Sequence, residues 1–235
     1  MKVLFKVAFI LFALLVVSCG SDNDSGTEII HPKYYKYLAL GDSYTIGESV
    51  CQTCRFPIQL QDSIKKYITT NDTFQTQIIA QTGWTTTHLK TAIATQNPTN
   101  DFDLVTLLIG VNNQYQNKPF SVYEQEFPEL VSIAIQKAKG KKENVIVVSI
   151  PDYAYTPFGN GNATISSQLD NYNAFAQNYC LVNNITFINI TDITRLGLQQ
   201  PNLVASDGLH PSTIAYTKFV ERILPKAKEK LGITY

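Results

Sequence analysis

The stretch Asp103–Gly110 reads DLVTLLIG. After its first residue it is a run of apolar residues with one threonine, and it ends in a glycine. A strand with one exposed face alternates apolar and polar residues, whereas a strand covered on both faces is apolar along its whole length. The stretch therefore predicts a central strand of a parallel sheet with helices on both sides.

Similar apolar runs recur along the chain and are separated by helix-like stretches. Strands are predicted at 34–40, 74–80, 103–110, 144–150 and 185–190. Helices are predicted at about 57–68, 86–95, 120–139, 163–182 and 212–231. This alternation is typical of a parallel sheet covered by helices on both faces. We therefore expect an α/β fold, a three-layer α/β/α sandwich around a five-stranded parallel sheet, in residues 34–235.

Composition excludes one class of partner. Lys+Arg and Asp+Glu both number 19, so the formal net charge is zero. Proteins that bind nucleic acid need a basic excess to neutralise phosphates, so we expect no nucleic-acid partner. The roughly 200 residues beyond the N-terminal segment suit one domain with a full core.

The N-terminus has the pattern of an export signal. Lys2 and Lys6 precede the apolar stretch Val7–Val17, which is shorter than the about 20 residues that span a bilayer. The residues Val16–Cys19, VVSC, resemble the lipobox of a bacterial lipoprotein. That resemblance implies cleavage before Cys19 and a lipid on its side chain.

We therefore expect residues 1–18 to be a lipoprotein signal peptide. Residues 19–33 are small, polar and partly acidic, which predicts a flexible tether. The protein would be exported to the bacterial cell envelope and held by the lipid on Cys19. The membrane face would be the periplasmic or the outer-surface face of the outer membrane.

Cys51 and Cys54 lie close together in the predicted loop after the first strand. In an oxidising compartment they could close a small disulfide, and free thiols are the alternative. A redox pair would need a thioredoxin-like fold context, and a zinc site would need two further ligands; neither is evident in the sequence. We expect a disulfide and no metal site.

Four segments rich in glycine and polar residues follow predicted strands or precede the last helix. They are Gly41–Gly47 (GDSYTIG), Gln81–Thr86 (QTGWTT), Gly110–Tyr115 (GVNNQY) and Ser206–Pro211 (SDGLHP). Ligands of such sheets bind at the carboxyl ends of the strands, so we expect these segments to form one rim. Taken alone, Ser43 is typical of a helix N-cap and His210 of a helix start.

Together, the four segments resemble the sequence blocks of the SGNH hydrolases, also called GDSL-type lipases or acylhydrolases. GDSYTIG is similar to the nucleophile block and Gly83 to the glycine block. Gly110–Asn112 is similar to the asparagine block, and Asp207–Pro211 to the final block. The resemblance keeps the order of the blocks over about residues 37–220. It implies the flavodoxin-like SGNH hydrolase fold and an esterase that uses no cofactor.

The resemblance implies that Ser43, Asp207 and His210 are catalytic. A serine hydroxyl is a poor nucleophile until a base removes its proton. His210 would be that base and would later protonate the leaving oxygen, while Asp207 would fix the imidazole tautomer. The expected reaction is hydrolysis of an O-acyl ester through an acyl-serine intermediate.

The same resemblance implies an oxyanion hole made by the backbone N–H groups of Ser43 and Gly83 and the side-chain amide of Asn112. The sequence departs from the family at Asn113, where an aspartate is common. Because that residue is not an oxyanion donor, we expect a changed local hydrogen bond and retained activity.

Aromatic residues lie on or near the predicted rim, namely Tyr44, Trp84, Tyr115 and Tyr153. They could hold an acyl chain, stack on a sugar or simply cover the core. The expected partner is therefore a small-molecule, glycan or lipid ester, with neither the acyl chain nor the alcohol defined.

Two other functions fit parts of the sequence. A non-catalytic surface lipoprotein could bind glycan or lipid with the same pocket, although the intact serine, aspartate and histidine argue against it. A flavin- or nucleotide-binding protein of similar architecture is the third possibility. However, the sequence contains neither the GxxxxGK(S/T) nor the GxGxxG pattern of phosphate-binding loops.

Overall fold

The computed structural model describes residues 31–234. Five strands form its centre: β1 Tyr34–Gly41, β2 Thr73–Ala80, β3 Leu104–Leu108, β4 Val145–Val148 and β5 Thr186–Ile188. They pair in the order β2-β1-β3-β4-β5, and every pairing is parallel. The predicted α/β fold with a five-stranded parallel sheet is confirmed.

Within residues 31–234, eight helices connect and cover the strands. They are α1 Ser43–Ile46, α2 Phe56–Lys65, α3 Thr86–Gln96, α4 Val111–Tyr115, α5 Phe120–Lys137, α6 Ala163–Val182, α7 Thr191–Thr194 and α8 Thr213–Lys230. Short 3₁₀ turns lie at Lys142–Asn144, Tyr153–Tyr155 and Pro201–Leu203.

The apolar stretch that predicted a central strand is β3, between β1 and β4. All of its residues are buried. Its one polar side chain, Thr106, pairs with the hydroxyl of Tyr37 at 2.8 Å in the middle of the sheet. That bond lets a polar residue lie in a fully covered strand, because a buried hydroxyl without a partner would be destabilising.

The helices pack in two groups, α2 with α8 and α5 with α3 and α6. In α2 the buried residues Phe56, Leu60 and Ile64 are four residues apart and therefore lie on one face. The same spacing in α5 buries Tyr123, Phe127 and Leu130–Val131. This arrangement agrees with the expected three layers.

The strand order places a crevice at the carboxyl ends of β1 and β3. The chain passes from β1 to β2 on one side and then crosses to β3 on the other, so connections leave the two neighbouring strands in opposite directions. The end of β1 packs tightly there: a Cβ on Gly41 would lie 2.4 Å from the carbonyl oxygen of Leu108. The sheet thus brings the loops after β1 and β3 together.

The predicted signal peptide at 1–18, Cys19 and the tether up to residue 30 lie outside the described residues. Within residues 31–234 no helix is both long and apolar enough to cross a membrane.

Candidate active site

A cavity of about 170 Å³ lies at the carboxyl ends of β1, β2 and β3. All four predicted rim segments contribute to its wall. The lining residues are Ser43, Tyr44, Thr82, Gly83, Val111, Asn112, Tyr115, Tyr153, Leu209 and His210. The fold therefore brings Ser43, Gly83, Asn112 and His210 to one cavity, although they are far apart in the sequence.

Ser43 begins the short helix α1 directly after β1. Asp42 caps this helix: its side chain accepts a hydrogen bond from the backbone N–H of Tyr44 at 3.0 Å. Gly47 ends the helix with a φ of 77°, a conformation that favours glycine. Among residues 31–234, no acceptor takes the backbone N–H of Ser43, which leaves this donor at the cavity.

Asp42 itself is fully buried and is absent from the cavity lining. Burial raises the pKa of its carboxyl from 3.8 to about 7. One carboxyl oxygen caps α1, and the other, Oδ2, has no hydrogen-bond partner among the described residues. These contacts give Asp42 a structural role in the turn that begins α1.

His210 and Asp207 form a close pair, with His210 Nδ1 at 2.6 Å from Asp207 Oδ2. The other oxygen, Oδ1, accepts the backbone N–H groups of Leu209 at 2.9 Å and His210 at 3.0 Å. Partial burial alone would raise the pKa of Asp207, but hydrogen bonds from the Ser49 hydroxyl, His210 and the backbone hold it well below its usual value. The carboxylate therefore remains charged, and it holds Nδ1 as a donor so that Nε2 is left as a base.

The Ser43 hydroxyl and the His210 ring both line the cavity. Among the hydrogen bonds of residues 31–234, none joins Ser43 Oγ to the imidazole. Catalytic hydrogen bonds are often long in an empty site and shorten in the Michaelis complex. The ring of Tyr44 meets the His210 ring edge-on, with 5.8 Å between centroids, and limits how the imidazole turns.

Asn112 is held with its amide at the cavity wall. Its Nδ2 donates one proton to the carbonyl oxygen of Trp84 at 3.0 Å. A side-chain amide has two N–H donors, so the second remains for a group in the cavity. The residue is mostly buried, which fixes this orientation.

Gly83 has a φ of 84°, and a Cβ there would meet no atom within 4 Å. The absence of a side chain is therefore required by the left-handed backbone more than by crowding. Gln116 Nε2 donates to the Gly83 carbonyl at 2.8 Å and holds this peptide. Within the described chain, the Gly83 N–H has no acceptor, so it is available at the cavity with those of Ser43 and Asn112.

Asn113 points away from the cavity and is fully buried. Its Oδ1 accepts the backbone N–H of Thr86 at 3.0 Å, and its Nδ2 donates to the Thr86 hydroxyl at 2.7 Å. That hydroxyl in turn donates to Glu126 at 2.5 Å. A neutral amide suits this chain of bonds, because an aspartate would compete with Glu126 for the single hydroxyl proton.

Tyr115 and Tyr153, which line the cavity, form an aromatic cluster with Phe158. Tyr115 and Phe158 are about half exposed, at 52% and 53%, and Tyr153 is buried beneath them. Their ring centroids lie 6.1–6.3 Å apart. The Tyr153 hydroxyl donates to Gln114 Oε1 at 2.8 Å, which fixes the inner ring.

Trp84 differs from the other three aromatic residues of the predicted rim. Its partly buried side chain packs against the hydrophobic core and is not among the residues that line the cavity. It contributes its backbone carbonyl to Asn112 instead. A loop residue has no periodicity from which the direction of its side chain could be predicted.

Several lining residues were not singled out from the sequence, namely Thr82, Val111 and Leu209. Each of the three is next in the sequence to a predicted site residue, namely Gly83, Asn112 or His210. That adjacency is the sequence signal that could have identified them. Ser49, which contacts Asp207, had no such signal.

The structure joins Cys51 and Cys54 by a disulfide in the loop after α1. Cys180 is a buried free thiol in α6, and burial raises its pKa to about 12. Within residues 31–234 there is no group of three His, Cys, Asp or Glu side chains suited to a metal ion.

Solved structures with this fold include several lipolytic proteins. A member of the lipolytic protein G-D-S-L family from Veillonella parvula has a TM-score of 0.64 and 15% identity, over 81% of this chain and 97% of its own. A lipase/acylhydrolase from Enterococcus faecalis has a TM-score of 0.64 and 18% identity, over 86% and 99%. A variant of an acetyl xylan esterase from Geobacillus stearothermophilus has a TM-score of 0.61 and 17% identity, over 87% and 97%.

At these identities the likeness shows the fold alone. The comparison with curated proteins gives no significant match. The family model of the GDSL-like lipase/acylhydrolases matches residues 39–218, which include all four rim segments. This chain therefore belongs to the GDSL-like lipase/acylhydrolase family.

Proposed function

We propose that the protein is a serine esterase that cleaves an O-acyl ester through an acyl-Ser43 intermediate. Family membership supports ester hydrolysis in general. The observation that carries the specific mechanism is the 2.6 Å contact of Asp207 with His210 at the wall of a cavity that Ser43 also lines.

In the proposed reaction, His210 Nε2 takes the proton of Ser43 Oγ while that oxygen forms a bond to the acyl carbon. The tetrahedral intermediate collapses, the bond to the alcohol oxygen breaks, and His210 returns its proton to that oxygen. Water then repeats the sequence against the acyl-serine, releasing the acid. Asp207, with its depressed pKa, stays charged and stabilises the imidazolium in both halves.

Negative charge develops on the former carbonyl oxygen in both intermediates. The free N–H groups of Ser43 and Gly83 and the second N–H of Asn112 are the proposed donors to this oxygen. Because none of these donors adds charge and each is fixed by its own contacts, stabilisation would require little reorganisation during the reaction.

The size of the cavity supports a short acyl group. Pockets for drug-sized ligands have volumes of about 300–1,000 Å³, whereas this cavity has about 170 Å³. We propose that an acetyl or similarly small acyl group occupies it and that the alcohol part extends over Tyr115 and Phe158. A series of p-nitrophenyl esters should show its highest kcat/KM at the shortest chains; a maximum at long chains would contradict this size limit.

The central test is a fluorophosphonate probe together with the variant Ser43→Ala. The wild-type protein should be labelled at Ser43 and should hydrolyse p-nitrophenyl acetate. The variant should keep the same circular-dichroism spectrum and lose both properties. Turnover retained by a folded Ser43→Ala protein would refute the mechanism, and a folded wild-type protein without labelling would favour the non-catalytic binding protein.

The location of the enzyme is a separate proposal that depends only on the N-terminal sequence. We propose export and lipid attachment at Cys19. Metabolic labelling with a radioactive fatty acid should mark the wild-type protein and leave Cys19→Ala unlabelled. Equal labelling of both proteins would refute attachment at this cysteine.

A further inference from the structure

Ser49 makes a contact that the proposed triad does not include. Its hydroxyl donates to Asp207 Oδ2 at 2.6 Å, across a sequence separation of 158 residues. This is the same oxygen that contacts His210 Nδ1 at 2.6 Å. The other bonds to the carboxylate come from Leu209 and His210, within its own turn. Ser49 is thus the group that connects the carboxylate to the loop after α1.

The backbone of Ser49 indicates that the hydroxyl has a purpose. Its φ is 64°, in the left-handed region where glycine is unstrained and other L-residues cost about 1–2 kcal/mol. Glycine would adopt this backbone conformation without strain, but it has no hydroxyl group. Strain of this kind tends to persist at functional sites.

The loop around Ser49 is held on both sides. The backbone N–H of Glu48 donates to the Ser43 carbonyl at 3.1 Å, next to the nucleophile. On the other side the Cys51–Cys54 disulfide closes a turn, and Gln59 Nε2 donates to the carbonyl of Cys54. The position of the Ser49 hydroxyl is therefore fixed relative to Ser43 as well as to Asp207.

We propose that Ser49 is a positioning residue, whose hydroxyl holds Asp207 Oδ2 in place and thereby orients the imidazole of His210 toward Ser43. The inference rests on the proposed esterase function and adds a fourth side chain to the triad. Ser49 touches neither the cavity nor the reacting atoms, so its effect passes through Asp207. Without the hydroxyl the carboxylate could rotate, and a smaller fraction of enzyme molecules would have the imidazole aligned.

Three variants separate positioning from stability. Ser49→Gly removes the hydroxyl and relieves the left-handed strain, so its Tm should equal or exceed that of the wild type. Ser49→Ala removes the hydroxyl and keeps the strain. Ser49→Thr keeps the hydroxyl, but its branched Cβ fits the left-handed region worse, so its Tm should fall.

We expect kcat for p-nitrophenyl acetate to fall about five- to tenfold in Ser49→Gly and Ser49→Ala, with KM within about twofold of the wild type. This estimate lies just below the usual range for a hydrogen bond to a charged group, because Ser49 is exposed. The rate of fluorophosphonate labelling at Ser43 should fall by the same factor. Ser49→Thr should keep kcat within about threefold despite its lower Tm.

If Ser49 had a purely structural role, kcat would follow Tm. Ser49→Gly would then be more active than Ser49→Thr. A Ser49→Gly protein with wild-type kcat, or a Ser49→Thr protein that loses as much kcat as Ser49→Ala, would overturn the proposal. Ser43→Ala is measured in parallel. If that variant is inactive and Ser49→Gly is normal, only the positioning role fails; if Ser43→Ala still turns over, the esterase mechanism itself fails.

Discussion

Replacing Asp42 by asparagine should stabilise the protein, and by more at higher pH. Asp42 is fully buried, and its Oδ2 has no hydrogen-bond partner among the described residues. Asparagine retains an oxygen that can accept the Tyr44 N–H, so the cap on α1 is kept. The change removes the charge and places an amide NH₂ group where Oδ2 lies; because that group does not titrate, the part of the difference that varies with pH reports the charge alone.

The size of the effect follows from the pKa. Burial raises the pKa of Asp42 from 3.8 to about 7 in the folded protein. Between these two values the unfolded chain has lost the proton that the folded protein still binds, so the free energy of unfolding falls as the pH rises. Between about pH 5 and about pH 8, wild-type protein should lose about 2.5 kcal/mol through this one group, and Asp42→Asn should lose none of it.

The assay is urea unfolding of both proteins at these two pH values, with thermal unfolding as a second measurement. All other titrating groups are common to both proteins, so the difference between them isolates Asp42. The Tm advantage of Asp42→Asn should grow by about 5–10 °C from the lower to the higher pH. A difference that stays constant with pH would refute the reasoning.

Asp152 provides the matched control. It is equally buried, but its carboxylate is satisfied by Arg195 at 3.0 Å and by the hydroxyl of Ser166 at 2.6 Å. Asp152→Asn removes the charge that pairs with the partly exposed Arg195 and should destabilise the protein. Stabilisation by this variant as well would mean that burial, rather than the missing partner, governs both sites.

Two further predictions concern the reaction. Asn112→Ala should lower kcat about 100- to 1,000-fold with a small change in KM, as expected for loss of an oxyanion donor; a loss in KM alone would assign the amide to substrate binding. Replacing both Cys51 and Cys54 by serine should lower kcat in the wild type by loosening the loop that carries Ser49. The same pair of changes should have little further effect in Ser49→Gly, and an equal loss in both backgrounds would show that the disulfide acts by another route.

The sequence predicted the long elements well, because burial on a regular face leaves a clear pattern. Helix α6 has its predicted bounds, and β3 is shorter than the predicted 103–110 by residues at both ends. The short helices α1, α4 and α7 were not predicted. Each has only four or five residues, too few for a periodic signal, and each is formed by its tertiary surroundings.

The candidate site was predictable only where it coincides with recognisable segments. Ser43, Gly83, Asn112 and His210 lie in such segments, and the parallel sheet places those segments at one edge. The contact of Ser49 with Asp207 could not be predicted, because it depends on a left-handed residue and on loops at opposite ends of the chain. Short-range patterns carry no information about which distant loops meet.

The order of the elements also determines when the residues of the proposed triad are made during synthesis. The loop that carries Ser43 follows the first strand, whereas Asp207 and His210 precede the last helix. The ribosome therefore makes the proposed nucleophile early and its proposed base almost last. On the proposed mechanism, a chain released before His210 is made would carry Ser43 without its base and would not hydrolyse esters in the cell that makes it.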